Sequence, residues 1–492
     1  MTTTHRNLIG GKEVAARSGA TFENRSPFDP TDVIGLYPRS GADDVDAAVA
    51  TAREGFAAWR RVPAPARGEI LGRAGELLRA RKEEIARLMA REMGKTLVEA
   101  RGDVQEAVDT ALYAQGEGRR LFGRTTHSEL PDKAAFTLRR PLGVCGLISP
   151  WNFPVAIPSW KSLPALLCGN AVVLKPPREA PGCAEAFVRV LLDAGVEPRA
   201  VSLLHGSGEE AGRALVEHPG VAAISFTGST EVGRGIAETC GRTLKRLSLE
   251  MGGKNAVLVA PDADLELALD GVLWGAFGTS GQRCTATSRL LLPDALHDSF
   301  VERLVARAGK LRLGDPLDEK TDVGPLVSAA QLERVAGWVK IAIDEGARVR
   351  CGGKRAEGLP GHFYAPTVLC DVRPEMRIAR EEVFGPVLAV LRYRDLDEAF
   401  AWANAVDYGL SSSLYTNDVR LAFRAADELE AGITYVNAPT IGAECHLPFG
   451  GVKQTGNGHR EGGWGAYEFF SEVKTVYVDY SGRLQRAQID NR

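Results

Sequence analysis

Residues 143–175 read GVCGLISPWNFPVAIPSWKSLPALLCGNAVVLK. Two short apolar runs, VCGLIS and AVVLK, flank a stretch long enough for a crossover helix, a pattern that predicts parallel strands covered on both faces. The alternation continues through VSLLH, AAISF and LKRLSLE to Glu250. A second series starts near Asn255 with NAVLVA, SRLLL, ARVRCGG, PVLAVLRY, SSSLYT and GITYVN, separated by helical patterns such as SFVERLVARAGKLR. Two α/β lobes are the natural reading. Upstream, from Ala42 to about Lys95, apolar residues recur at helical spacing, as in EILGRAGELLRARKEEIARLM, and predict a helical opening. Two further stretches, TTHSELPDKAAFTLRRP and the terminal EFFSEVKTVYVDYSGRLQRAQID, alternate like strands that neither sheet needs; they can pair with each other or with another subunit.

The 492 residues correspond to about three domains of ordinary size. Hydrophobic residues make up 44% and charged residues 25%, so the chain can bury a large interior. Sixty Lys+Arg against 63 Asp+Glu leave a net charge of −3, which gives no electrostatic reason to expect nucleic acid or an anionic membrane as partner. Neither a secretory signal nor a membrane span is evident, and a cytoplasmic location is expected. The eight cysteines are too sparse for a disulfide scaffold and form no CxxC pair; HExxH is absent as well, so a structural metal is not expected.

Several segments carry possible chemistry. GSGEEAG, from Gly206, has glycines at offsets zero, two and six, which departs from the usual dinucleotide fingerprint and favours a simple βα turn. FTGSTEVGRGI ends a strand and opens a helix at Gly228 and Ser229, where backbone N–H groups could face a phosphate or merely begin a capped helix. Cys284 sits in the polar, glycine-rich GTSGQRCTATS, with Arg283 placed to favour a thiolate, whereas Cys168 and Cys370 lie in apolar runs that suit packing. Glu250 ends a strand in LEMGGK, and Asn152 stands between two prolines in PWNFP, where its amide could serve as an oxyanion donor. Each has a bland alternative: a solvated glutamate, a turn asparagine, a buried thiol.

Taken together, PWNFP, LKPP, FTGSTEVG, LEMGGK, GQRC, EEVFGPV and PFGGVKQTG occur in the order and at about the spacing of the aldehyde dehydrogenase superfamily, which the chain resembles over nearly its whole length. The resemblance implies an α/β fold with a Rossmann-like cofactor lobe (residues 1–121 and 142–252), an α/β catalytic lobe (253–465) and a small β-ribbon oligomerisation element (122–141 and 466–492). It implies Cys284 as the nucleophile that forms a thiohemiacetal and then a thioester, Asn152 with the Cys284 N–H as the oxyanion site, and Glu250 as the base that activates water. Lys175 is grouped with these and also with the cofactor contacts, at the adenosine ribose. The other cofactor positions implied are Ile148, Ser149, Pro150 and Trp151 beside the nicotinamide, Gly208 at the adenine edge, Gly228 and Ser229 at the pyrophosphate, Met251 and Gly252 after the base, and Glu382 and Phe384 at the nicotinamide ribose. Many NAD-using members carry a glutamate three residues after the lysine, where this chain has Arg178; NAD is expected, with NADP the alternative.

Arg283 beside the nucleophile resembles members that act on aldehydes bearing a carboxylate or phosphate. The segment APTIGAECHLPFGGVKQTGNGHRE resembles the aminoadipate-semialdehyde and ketoglutarate-semialdehyde branches. The resemblance therefore implies a small anionic semialdehyde as substrate, contacted by Arg283, Glu106, Gly442 and Ala443, and assembly as a homodimer or homotetramer. Competing readings are a coenzyme-A-acylating dehydrogenase, which Glu250 disfavours, a thiol hydrolase using His446 or His459, and a non-catalytic binding protein.

Overall fold

The computed structural model describes residues 2–490; the outer limits of the expected first and last segments, at residues 1 and 492, lie outside them. Two seven-stranded sheets and a three-stranded one organise the chain. The first sheet runs in the order Arg246–Glu250, Ala223–Thr227, Val144–Ile148, Ala171–Lys175, Val201–Leu203, Asn7–Ile9, Lys12–Val14. Its first five strands are parallel, and the two N-terminal ones join antiparallel at the edge. The parallel strands are buried on both faces, which is why they read as continuous apolar runs. Ala156–Leu167 crosses between Val144–Ile148 and Ala171–Lys175, and every residue of this helix is buried. The helical opening comprises Ala42–Trp59, Ala64–Ala80 and Lys82–Met93, followed by Leu97–Glu117.

The second sheet has the order Arg348–Cys351, Thr367–Cys370, Val387–Tyr393, Thr287–Pro293, Asn255–Val259, Ser411–Tyr415, Ile433–Val436, with only its first pair antiparallel. Separate apolar cores cover its two faces. The two leftover segments pair with each other: Ser471–Asp479 runs antiparallel to Lys133–Pro141 over nine residue pairs, and Thr125–His127 adds the third strand. Just before this ribbon, Tyr467, Phe469 and Phe470 insert into the core of the first sheet. Among the described residues no helix is long and apolar enough to cross a membrane, and no cluster of metal-ligating side chains occurs.

Candidate active site

In the first sheet the chain leaves Val144–Ile148 toward Ala171–Lys175 on one side and later returns to Ala223–Thr227 on the other. The carboxyl ends of strands at such a reversal border a crevice where ligands bind in open α/β sheets. PWNFP follows the first of these strands and Gly228-Ser229 the second. Two cavities meet there. One, of about 160 Å³, is lined by Pro150, Trp151, Asn152, Gly228, Ser229, Met251, Gly252, Glu382 and Phe384. The other, of about 280 Å³, has walls of Phe153, Trp160, Trp274 and Phe449 and includes Glu106, Arg283, Gly442, Ala443 and Glu250. Cys284 lines both.

The segment carrying Cys284 is held in an uncommon conformation. After the helix Leu265–Phe277, Thr279 (φ 51°), Ser280 (φ 55°) and Gly281 (φ 67°) are successively left-handed. The two non-glycine residues cost roughly 1–2 kcal/mol each, and specific bonds hold them. Glu99 Oε1 accepts from the Thr279 N–H (2.7 Å) and hydroxyl (3.1 Å), and the Ser280 hydroxyl donates to the Gly324 carbonyl (2.6 Å). Gly281 must be glycine, since a Cβ there would lie 2.1 Å from the Gly385 carbonyl oxygen. Asn255 Nδ2 donates to the Cys284 carbonyl (2.8 Å) and fixes the far side of the turn. Asn152 Nδ2 donates to the Gln282 carbonyl (3.0 Å), so one of its two N–H bonds is engaged and the other has no partner among the described residues, and both Asn152 and Cys284 line the smaller cavity.

Glu250 ends its strand and is buried, with no hydrogen-bond partner on either carboxylate oxygen among the described residues. Burial, followed by the nearby Glu461, raises its pKa well above the usual carboxylate range. Glu461 is itself held by the buried Lys161 ammonium and by the hydroxyls of Thr227 (3.2 Å) and Ser225 (3.4 Å). Burial pushes the Cys284 thiol upward as well, reinforced by Glu382, Glu250 and Glu461. The expected help from Arg283 is not there. Its guanidinium turns away into an ion pair with Glu99 (2.9 Å) and donates through Nε to the Thr279 hydroxyl (2.9 Å).

The remaining implied positions fall around this centre. Glu382 accepts from the Gly253 N–H (3.0 Å), and burial raises it to about 7. Phe384 meets Trp151 edge-on, with ring centroids 5.4 Å apart. Glu106 has an unpartnered Oε1, and burial first, then Asp103, raises it to about 8. Ile148, Ser149, Lys175, Arg178 and Gly208 line neither cavity. Lys175 is buried at the carboxyl end of its strand, and burial lowers it to about 8. Arg178 is exposed and stacks over the Phe22 ring at 4.8 Å. Gly208 opens a π-helical turn capped by the Ser207 hydroxyl (3.0 Å to the Glu210 N–H), so GSGEEAG is the simple turn its spacing favoured. The set suits a dinucleotide: Ser229, on the wall of the crevice, caps the N-terminus of the helix Thr230–Thr243, and the Glu382 carboxyl lines the same crevice.

Sequence reasoning missed the aromatic walls, the Lys161–Glu461 pair and Glu99. A signal for the pair was present, because a lone lysine in the apolar IPSWKSL requires a buried counter-charge.

The chain belongs to the aldehyde dehydrogenase family, whose model matches residues 14–476. It is 40% identical over 478 residues to an alpha-ketoglutaric semialdehyde dehydrogenase of Bacillus subtilis, covering 96% of this chain and 98% of that protein. To an alpha-ketoglutarate semialdehyde dehydrogenase of Haloferax volcanii it is 42% identical, covering 98% and 100%. The crystal structure of an NAD-dependent aldehyde dehydrogenase from Sinorhizobium meliloti superposes with a TM-score of 0.96 at 38% identity, covering 99% of this chain and 97% of that one.

Proposed function

We propose that this protein oxidises an anionic semialdehyde to the corresponding acid with NAD as acceptor, through a covalent intermediate on Cys284. One observation carries the reading: Cys284 stands where a crevice suited to a dinucleotide meets a cavity holding Glu250, Arg283 and Glu106. The Cys284 thiol gives its proton to solvent, the thiolate attacks the aldehyde carbon, and the Asn152 amide steadies the negative charge on oxygen. A dinucleotide held in the crevice by Ser229, Trp151 and Glu382 would supply the acceptor for the hydride of the former aldehyde carbon. The thioester that remains on Cys284 is attacked by water, whose proton goes to Glu250 in its carboxylate form, and the acid and the thiol are released. Because burial raises Glu250, this hydrolysis accelerates as pH rises toward the pKa of that carboxyl.

The anionic substrate is supported by the names of the relatives and by Arg283, Glu106, Gly442 and Ala443 sharing one cavity with Cys284. NAD as acceptor is supported by the NAD-dependent solved relative, with NADP the alternative, since Arg178 is an exposed cation that could meet a 2′-phosphate. Residues 1–121 and 142–252 form the cofactor lobe in this reading, 253–465 the catalytic lobe and 122–141 with 466–492 the ribbon. The ribbon exposes Val473, Tyr477 and Tyr480, which suits burial against further copies in a homodimer or homotetramer. A cytoplasmic location and no nucleic-acid partner complete it.

The test is steady-state kinetics with semialdehydes and propanal, each with NAD and with NADP. Equal efficiency on propanal and the semialdehydes, unchanged in Arg283→Ala, refutes the anionic substrate. Cys284→Ala should abolish turnover and retain cofactor binding; turnover in that variant refutes the nucleophile, and a requirement for coenzyme A refutes hydrolysis.

A further inference from the structure

Glu99 lies in the first turn of Leu97–Glu117, on the wall of the larger cavity. Its Oε1 is shared by three donors, the Thr279 N–H and hydroxyl and Arg283 Nη2, while Oε2 accepts from the Thr96 hydroxyl (3.0 Å). Gly278 permits this approach, since a Cβ there would lie 3.1 Å from Oε1. The Arg283 and Glu99 side chains are only 12% and 11% exposed, and the guanidinium lies within 5.5 Å of the Phe153 ring centre and 5.9 Å of Trp274. With Nε and Nη2 engaged, Nη1 is the guanidinium terminus without a partner among the described residues.

We infer that Glu99 is a specificity-determining positioning residue: it holds the nucleophile loop through Thr279 and at the same time restrains the attraction of Arg283 for the anionic end of the substrate. The inference rests on the anionic-semialdehyde reading. Holding the loop needs only an acceptor, which an amide oxygen would also provide, so the negative charge exceeds that structural need. In a poorly hydrated wall, a carboxylate in contact with the guanidinium cancels much of its field. A substrate carboxylate then meets the remaining N–H groups of a guanidinium whose charge Glu99 already offsets. Such a site recognises an anionic aldehyde without holding every small carboxylate, the acid product included.

The test compares kcat and KM for glutarate semialdehyde and for pentanal in the wild type, Glu99→Gln, Glu99→Leu and Arg283→Met. In Glu99→Gln the ratio of kcat/KM for the anionic over the neutral aldehyde should rise by about five-fold or more, through a lower KM, and the gain should shrink in about 0.5 M salt. Glu99→Leu should lose kcat on both aldehydes and melt earlier, because the loop has lost its acceptor. Should Glu99→Gln keep the ratio within about two-fold of wild type while Arg283→Met lowers it, the role of Glu99 is overturned and the anionic reading stands. If Glu99→Gln instead behaves like Glu99→Leu, the residue is structural only and the inference fails. No change of the ratio in Arg283→Met overturns the anionic reading, and this inference with it.

Discussion

Replacing Glu250 by glutamine separates the two halves of the proposed reaction. The substitution preserves shape, and since neither carboxylate oxygen has a partner among the described residues, no hydrogen bond within the protein is lost. A buried acid beside Glu461 is removed, so stability should hold or rise. Deacylation loses its base, an effect of about 10²–10⁴-fold, or about 3–5 kcal/mol in barrier height. Cysteine attack does not use that base, so one equivalent of reduced nicotinamide per site should form rapidly and turnover should then stall. Rapid-mixing absorbance would show the burst, and intact-mass measurement the acyl group on Cys284. Glu250 also helps hold the thiol proton, so Cys284 in the variant should alkylate faster than wild type near pH 8. Steady turnover near the wild-type rate, or inactivity with neither burst nor adduct, would refute the assignment.

Other consequences follow from named contacts. Gly281→Ala adds a Cβ 2.1 Å from the Gly385 carbonyl at φ 67°, and should cost about 3 kcal/mol or more with loss of activity; a thermal melt within a degree or so of wild type would contradict the geometry. Lys161→Met leaves Glu461 buried without its ammonium, a loss of about 3–5 kcal/mol measurable by denaturant unfolding. Adding Glu461→Gln should restore most of that loss, and no recovery would show the pair is not the cause. The third consequence concerns pH. Glu106, raised to about 8, is protonated below that pH and can donate to a substrate carboxylate; above it the group is charged and repels. Between about pH 7 and 9.5 the KM for glutarate semialdehyde should rise by about ten-fold or more while that for pentanal does not, and Glu106→Gln should flatten the profile; a flat wild-type profile would contradict this role.

What the sequence revealed and what it hid divide along physical lines. Strands buried on both faces leave unbroken apolar runs, and ten of the strand segments quoted for the two lobes fall in observed parallel pairs; ARVRCGG pairs antiparallel. Thr367–Cys370 was missed, being only four residues long amid loops, and the edge strands Asn7–Ile9 and Lys12–Val14 mix polar with apolar residues. That Glu250 and Asn152 border the two cavities was legible because strand ends are local features. The position of Glu250 Oε1, without a partner among the described residues, requires glycine at 450, where a Cβ would lie 2.3 Å from it, and no local pattern encodes that. Arg283 shows the limit most directly: its chain neighbour is the nucleophile, yet its electrostatic partner, Glu99, lies 184 residues away.

The late arrival of the C-terminal segment has a consequence for biosynthesis. Lys161 belongs to the first sheet's crossover helix, and its counter-charge is 300 residues further along the chain, about 15–60 s of translation at ordinary elongation rates. Until then the first lobe lacks both the counter-charge of Lys161 and the side chains of Tyr467, Phe469 and Phe470 that its core contains. The last thirty or so residues thus complete the half of the molecule that was made first.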